Sequence, residues 1–216
     1  MLFSLRITKL SAWKRFRVGM NPLRLTKIRQ SATNPKLNFL RMGDKVKGSE
    51  FQIRNMVRDW VDTPIGPIHF EATNAGLSKI GWGEVRSSDS SNEHLDVAKN
   101  WTLEYFAGSN APFPQLDENS LTSFQTQVLR CLVREAGFGQ TVSYAKLAVG
   151  AGYPGASRAV GSVMAMNPWP LLVPCHRVVR SDRVIGNYSG EGGPATKIRL
   201  LLHEGHEFDN AGRITN

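Results

Sequence analysis

The spacing of apolar positions along this chain changes twice, and each change predicts a different kind of element. Between residues 57 and 82 the period is two. The stretch from Asp59 to Val61 reads as a strand running into a Pro/Gly turn that ends at Pro67. Ile68 to Thr73 alternates, Asn74-Ala75-Gly76 turns, and Leu77 to Trp82 alternates again. Three short strands with tight connections predict an antiparallel meander. A serine-rich loop, Ser87 to Ser91, precedes a helix predicted from His94 to Phe106, with Leu95, Ala98, Leu103 and Phe106 on one face. Pro112 and Pro114 then mark a linker.

From Thr122 the period becomes helical, with Phe124, Val128, Cys131 and Leu132 recurring at three- and four-residue steps until Gly137 and Gly139. Ser143 is the predicted N-cap of a short helix from Tyr144 to Val149, ended by Gly150 and Gly152. A third helix is predicted from Ala156 to Met166, stopped by Asn167-Pro168. Two short helices joined by a Gly/Pro turn resemble a helix-turn-helix. A turn with Pro168 and Pro170 leads to a predicted strand, Leu171 to Val173, and to a second strand-like run, Pro174 to Val179. After the loop from Ile185 to Gly193, a last helix starts with Pro194 near its first position and ends at Glu204 before Gly205.

Residues 1–55 follow neither period. The whole chain, 216 residues with 41% hydrophobic and 9% aromatic side chains, has the composition of one ordinary globular domain or two small ones. Its net charge of +9 is concentrated at the start. Residues 1–43 carry ten Lys and Arg and no acid, whereas the rest balances 17 basic against 18 acidic residues. The basic isoelectric point therefore belongs to the leading segment, and nucleic-acid binding by the remainder must rest on particular residues. Three readings of the leading segment stay open: a mitochondrial transit peptide, a DNA-contacting arm, or an extension made dispensable by a downstream start at Met20, Met42 or Met56. Against the first, Leu2, Leu10, Trp13 and Phe16 share a helical face with Arg6, Lys9 and Arg17. No run approaches the roughly 18 to 20 apolar residues of a membrane helix, so no membrane partner is expected.

Two cysteines, Cys131 and Cys175, are too few for a disulfide framework, and no Cys/His spacing suits zinc. No metal and no cofactor are expected. Cys131 shares a helix face with Val128 and Leu132 and reads as packing, while His69, His94 and His206 read as structural or solvated. Cys175 differs. It follows a proline, precedes His176, and lies in a segment bent twice by prolines. The loop Gly186-Asn187-Tyr188-Ser189-Gly190 is flanked by glycines that allow backbone N–H groups close to a ligand. Glu204 ends a helix whose Ile198, Leu201 and Leu202 would dock on the same core.

These residues together resemble the O6-alkylguanine-DNA alkyltransferases, the methylated-DNA–protein-cysteine methyltransferase family. Pro174-Cys175-His176-Arg177-Val178-Val179 matches its active-site signature. Arg158-Ala159-Val160-Gly161, Asn167-Pro168, Gly186 to Gly190 and His203-Glu204-Gly205-His206 match its surroundings in order and spacing. The resemblance covers residues 57–208, more loosely over the strands, and leaves residues 1–50 unaccounted for. Zinc-bearing members use N-terminal cysteines that this sequence lacks.

The resemblance implies an α/β (α+β) fold. A small N-terminal domain of a three-stranded antiparallel sheet and helix (56–115) would precede a winged helix-turn-helix-like alkyltransferase domain (116–210). It implies single-turnover transfer of an alkyl group from O6-alkylguanine in double-stranded DNA to Cys175, by a monomer, with the base rotated out of the duplex. By the same resemblance His176 is the base, acting through a water, Glu204 orients the imidazole, and Asn167 braces the turn carrying the cysteine. Tyr144 would hydrogen-bond N3 of the guanine, and the Ser189 N–H would cover O6. The carbonyls of Cys175 and Val178 would accept from the exocyclic amine. Tyr188, Pro170 and Trp169 would line the alkyl pocket. Arg158 would fill the vacated stack, with Ala156 and Ser157 allowing close approach to the minor groove. Action would lie where the genome is, in the cytoplasm and nucleoid of a bacterium or the nucleus of a eukaryote. Three rivals are a lesion sensor without transfer, a cysteine hydrolase built on Cys175, His176 and Glu204, and a winged-helix regulator without chemistry.

Overall fold

The computed structural model describes residues 56–216. The three readings of the basic leading segment lie outside the described residues. Strands β1 (Val57–Val61), β2 (Ile68–Thr73) and β3 (Gly76–Trp82) form an antiparallel meander in the order β1-β2-β3. The expected alternation is seen on β2, where Ile68, Phe70 and Ala72 are all fully buried. A register shift at Glu71/Ala72 turns the end of the sheet. Helix α1 (Glu93–Ala107) covers this sheet with Leu95, Ala98, Thr102, Tyr105 and Phe106. Asn92 caps its N-terminus by accepting from the amides of His94 and Leu95, and Gly108, with φ of 75°, closes its other end.

Helix α2 (Ser123–Glu135) begins at a capping box: Thr122 accepts from the Gln125 amide, and the Gln125 side chain accepts from the Thr122 amide. Two residues of strand β4 (Val142–Ser143) follow, and Ser143 then caps helix α3 (Tyr144–Gly150) through the Lys146 amide. Helix α4 (Ser157–Ala165) completes the helical trio. The α3–α4 turn runs through Gly152 and Gly155, both in the left-handed region. Helix α5 (Gly193–His203) carries Pro194 in its first turn and ends at Glu204. The mixed α/β architecture inferred above is the one observed. Among the described residues no helix is long and apolar enough to cross a membrane.

Two strand expectations are corrected. Leu171 to Val173 is a buried turn, in which Leu171 takes a left-handed φ of 78°. A short apolar run says that a segment is buried and does not say in what conformation. Pro174 to Val179 is likewise not one strand. Cys175–Arg177 forms a single 3-10 turn, and only Val178–Val179 (β5) is extended, pairing in parallel with Val142–Ser143. That β4–β5 pair lies between residues far apart in sequence, where no local period could reveal it.

One hydrophobic cluster runs from Val57 through the sheet, α1 and α2 to Leu200 on α5. The sheet edge also holds the turn beyond α4. The Ile80 amide donates to the Pro168 carbonyl at 2.8 Å, and the Trp169 indole Nε1 donates to the Leu77 carbonyl at 2.8 Å. The turn that leads to Cys175 is thus anchored on β3 before it reaches the cysteine.

Candidate active site

The 3-10 conformation of Cys175–Arg177 decides the local chemistry. On a strand, His176 would point away from both neighbours. In the tighter turn, His176 and Arg177 both reach one carboxylate, Glu204 at the end of α5. His176 Nε2 lies 2.8 Å from Glu204 Oε1. Arg177 Nε donates to both oxygens at 3.0 and 2.9 Å, and its Nη2 donates to Oε1 at 2.8 Å. Arg177 Nη1 is held by the Ala136 carbonyl at 2.7 Å, at the end of α2. The side chains of His176 and Glu204 are wholly buried.

Glu204 is the anion of this cluster. Burial pushes its carboxyl up, but the hydrogen bonds and charges of His176 and Arg177 outweigh burial and hold it well below the usual carboxylate range. For His176 the balance goes the other way. Burial, with the charges of Arg177 and Lys197, lowers its pKa despite the attraction of Glu204. The permanent guanidinium of Arg177 is therefore the counter-ion of Glu204, and the imidazole rests neutral. With the proton on Nε2 facing Glu204, the other nitrogen is an acceptor. Nδ1 is buried without a partner among the described residues.

Cys175 is 4% exposed and lines a cavity of about 160 Å³ together with Tyr144, Gly161, Met164, Asn187, Tyr188 and Ser189. Tyr144 and Ser189, singled out from the sequence, line the same cavity as the sulfur. Tyr188 does too, and its hydroxyl is buried without a partner among the described residues. Burial pushes the Cys175 thiol up, against the Asn167 side chain, the Lys197 charge and the amides of Cys175 and His176, which favour the thiolate. The resting sulfur is a thiol that needs a base. Asn167 also braces the turn from both sides: Nδ2 donates to the Val173 carbonyl at 2.8 Å, and Oδ1 accepts from the Trp169 amide at 3.1 Å.

One expected position is corrected. Trp169 is fully buried against β3 and lines a separate cavity with Phe113, Leu129 and Val133, so its ring is not at the sulfur. Pro170 is half-buried in the turn between Trp169 and Leu171. Val178 is fully buried, and its carbonyl accepts from Lys197 Nζ at 2.6 Å through one lone pair, which leaves the second for another donor. Arg158 is exposed at the start of α4, with Ala156 and Ser157 half-buried before it. That end carries no side-chain cap.

Lys197 and Tyr105 escaped the sequence reading. Lys197 is a fully buried cation whose pKa burial lowers to about 8, against a raising influence from Cys175. Its signal was a lysine on the inward face of a helix that also presents Leu200 and Leu201. Tyr105 donates its hydroxyl to Glu204 Oε1 at 2.7 Å.

The protein-family model described as the 6-O-methylguanine DNA methyltransferase DNA-binding domain matches residues 123–206. The methylated-DNA–protein-cysteine methyltransferase of Rattus norvegicus is 39% identical over 168 residues, 67% of this chain and 80% of that protein. The Homo sapiens protein of the same name is 38% identical over 177 residues, 73% of this chain and 84% of its own length. Among solved structures, the O6-methylguanine methyltransferase of Mycobacterium tuberculosis superposes with a TM-score of 0.59 at 31% identity, covering 69% of this chain and 92% of that one. A structure of the Mycobacterium tuberculosis protein in complex with DNA gives 0.58 at 33% identity, over 68% of this chain and 91% of that one. A buried cysteine, histidine and glutamate on such a scaffold, and relatives matched over most of their length, agree: the chain belongs to the methylated-DNA–protein-cysteine methyltransferase family.

Proposed function

We propose that this protein repairs alkylated DNA by transferring the alkyl group from O6 of guanine to Cys175, once per molecule. The observation that carries this reading is a neutral, buried His176 anchored on Glu204 and next in the chain to a cysteine that lines a cavity. A raised thiol pKa makes the bare sulfur a poor nucleophile, so the proton must leave as the bond forms. His176 Nδ1 takes that proton, directly or through one water. The sulfur attacks the alkyl carbon, the carbon–O6 bond breaks, and the departing guanine anion takes up one proton as the imidazolium releases the one it received, so thiol and O6-alkylguanine become thioether and guanine. Tyr144 and the Ser189 amide supply donors for the charge that develops on the base. The product is a thioether with no easy route back to the thiol, hence the single turnover.

The cavity at Cys175 admits a base only after it leaves the helical stack, which costs a few kcal/mol. Arg158, exposed at the uncapped start of α4, is the side chain placed to fill the gap, and Ala156 and Ser157 keep the backbone close to the groove. The Mycobacterium relative solved with DNA supports DNA as the partner. Reaction as a monomer, in the compartment that holds the genome, follows from the same reading.

The test is intact-mass and peptide mapping after mixing the full chain with one equivalent of duplex containing O6-methylguanine. A one-methylene mass gain on the peptide that contains Cys175, saturating at one per protein, is expected. Binding without an adduct would mark a lesion sensor instead, and turnover beyond one equivalent would mark a hydrolase.

A further inference from the structure

The carboxylate behind His176 is gripped by an element from the sheet-bearing half of the chain. Tyr105 on α1 reaches Glu204 across 99 residues of sequence and donates to Oε1, the same oxygen that faces His176. The phenol is 5% exposed and boxed by aromatic rings: Trp101 stacks on it at 5.5 Å, Phe106 and Phe138 meet it edge-on at 4.9 and 5.8 Å, and His203 tilts against it at 5.1 Å. Phenylalanine would fill that box without the cost of burying a hydroxyl. The hydroxyl's one hydrogen bond goes to Glu204, a charged and therefore strong acceptor.

Oε1 is contested. It accepts from Tyr105, from His176 and from Arg177, while Oε2 takes Arg177 and, at 3.4 Å, the Gly139 amide. The planar fork of Arg177 would by itself turn the carboxylate into its own plane. A donor from a third direction is needed to keep one oxygen on the imidazole.

Resting on the reading of His176 as the proton acceptor, we propose that Tyr105 is a positioning residue for alkyl transfer, holding Glu204 in register with His176. The hydroxyl also draws charge off Oε1, which weakens the hold of Glu204 on an imidazolium proton and keeps His176 neutral. The other titratable or charged groups around this centre are Cys175, Arg177 and Lys197 beside the imidazole, Tyr188 in the loop above, and His203 against the Tyr105 ring.

The experiment is single-turnover transfer from O6-methylguanine duplex to the full chain as a function of pH. Tyr105→Phe is expected to bind the duplex as the parent does, to react about tenfold more slowly at saturating DNA, and to move the acidic limb of the profile to higher pH. Phe106→Leu, which loses packing in the same box, is expected to lower Tm and leave that limb in place. Replacement of Tyr105 by 3-fluorotyrosine keeps the packing and strengthens the donor, so the limb should move to lower pH. In a Glu204→Gln background, Tyr105→Phe should slow transfer no further. An unmoved limb in both Tyr105 variants, or an undiminished rate loss on Glu204→Gln, overturns the positioning role and leaves alkyl transfer intact. A parent chain that forms no adduct overturns the functional reading itself, and this role with it.

Discussion

Glu204 Oε1 stands 2.8 Å from His176 Nε2, with both side chains fully buried and the two residues 28 positions apart in sequence. Neither group would be tolerated there alone. A neutral imidazole and an ionised carboxylate share the site because Arg177 supplies the charge that Glu204 requires.

Glu204→Gln therefore removes more than an orienting group. It leaves the Arg177 guanidinium buried beside a neutral amide, and breaking a buried pair from one side costs about 3–5 kcal/mol. A large drop in Tm is expected, with transfer slowed by a factor beyond what the stability loss explains at low temperature. Calorimetry and single-turnover kinetics at 10 °C, or about that, check both. Unchanged stability would mean that the Arg177 charge is met elsewhere.

The pH dependence follows from the two directions of shift. His176 titrates below its ordinary 6.5, so the folded chain binds fewer protons there than the unfolded chain. Stability from this group is complete above that value and is lost as pH falls through the lowered one. Transfer should lose rate over the same acidic window, as Nδ1 becomes protonated. On the alkaline side the raised Cys175 pKa predicts a rate that still climbs past neutrality. A profile flat from pH 5 to 9, or about that range, would show that proton transfer from the thiol does not limit the reaction.

Arg158→Ala should spare the fold, since the side chain is exposed. It should slow repair in duplex DNA by about ten- to a hundredfold while hardly changing reaction with the free O6-methylguanine base, because only the duplex requires extrusion. Equal losses on both substrates would remove Arg158 from that role.

Gly190→Ala tests the loop over the cavity. A methyl group there would collide with the Tyr188 ring and press on the Trp82 indole at 3.0 Å. Moving Tyr188 should slow transfer, and overpacking of this kind costs about 1–3 kcal/mol. Transfer kinetics and Tm measured together would separate the two effects. Parent-like values for both would show that the loop has room to shift.

Regular elements were legible where one local signal decided them. Ile68 to Thr73 alternates and is a strand, and Ser143 and Gly205 bracket helices as their capping chemistry requires. Cys175, His176 and Glu204 were legible as a set, since their order and spacing match a known signature. What stayed hidden depends on tertiary context. Leu171 to Val173 is as apolar as a strand, yet its left-handed residue is imposed by the turn that Asn167 braces. Trp169 looked like a ligand-facing aromatic, but the Leu77 carbonyl claims its indole. Lys197 and Tyr105 carry no motif. Each is recognisable only once the carbonyl or carboxylate it serves has been placed by the fold.

The short β4–β5 pair sets a distance. Ser143 is at once the strand partner of Val179 and the cap of the helix that opens with Tyr144. Counting outward from this pair, Tyr144 is one residue away on one side, and Cys175 is a single 3-10 turn away on the other. Slack in the connecting loops is therefore not transmitted to the gap between the phenol and the sulfur. Lengthening the Gly137–Thr141 connection should leave that gap unchanged, whereas one residue added between Cys175 and Val178 would throw the two halves of the pocket out of alignment.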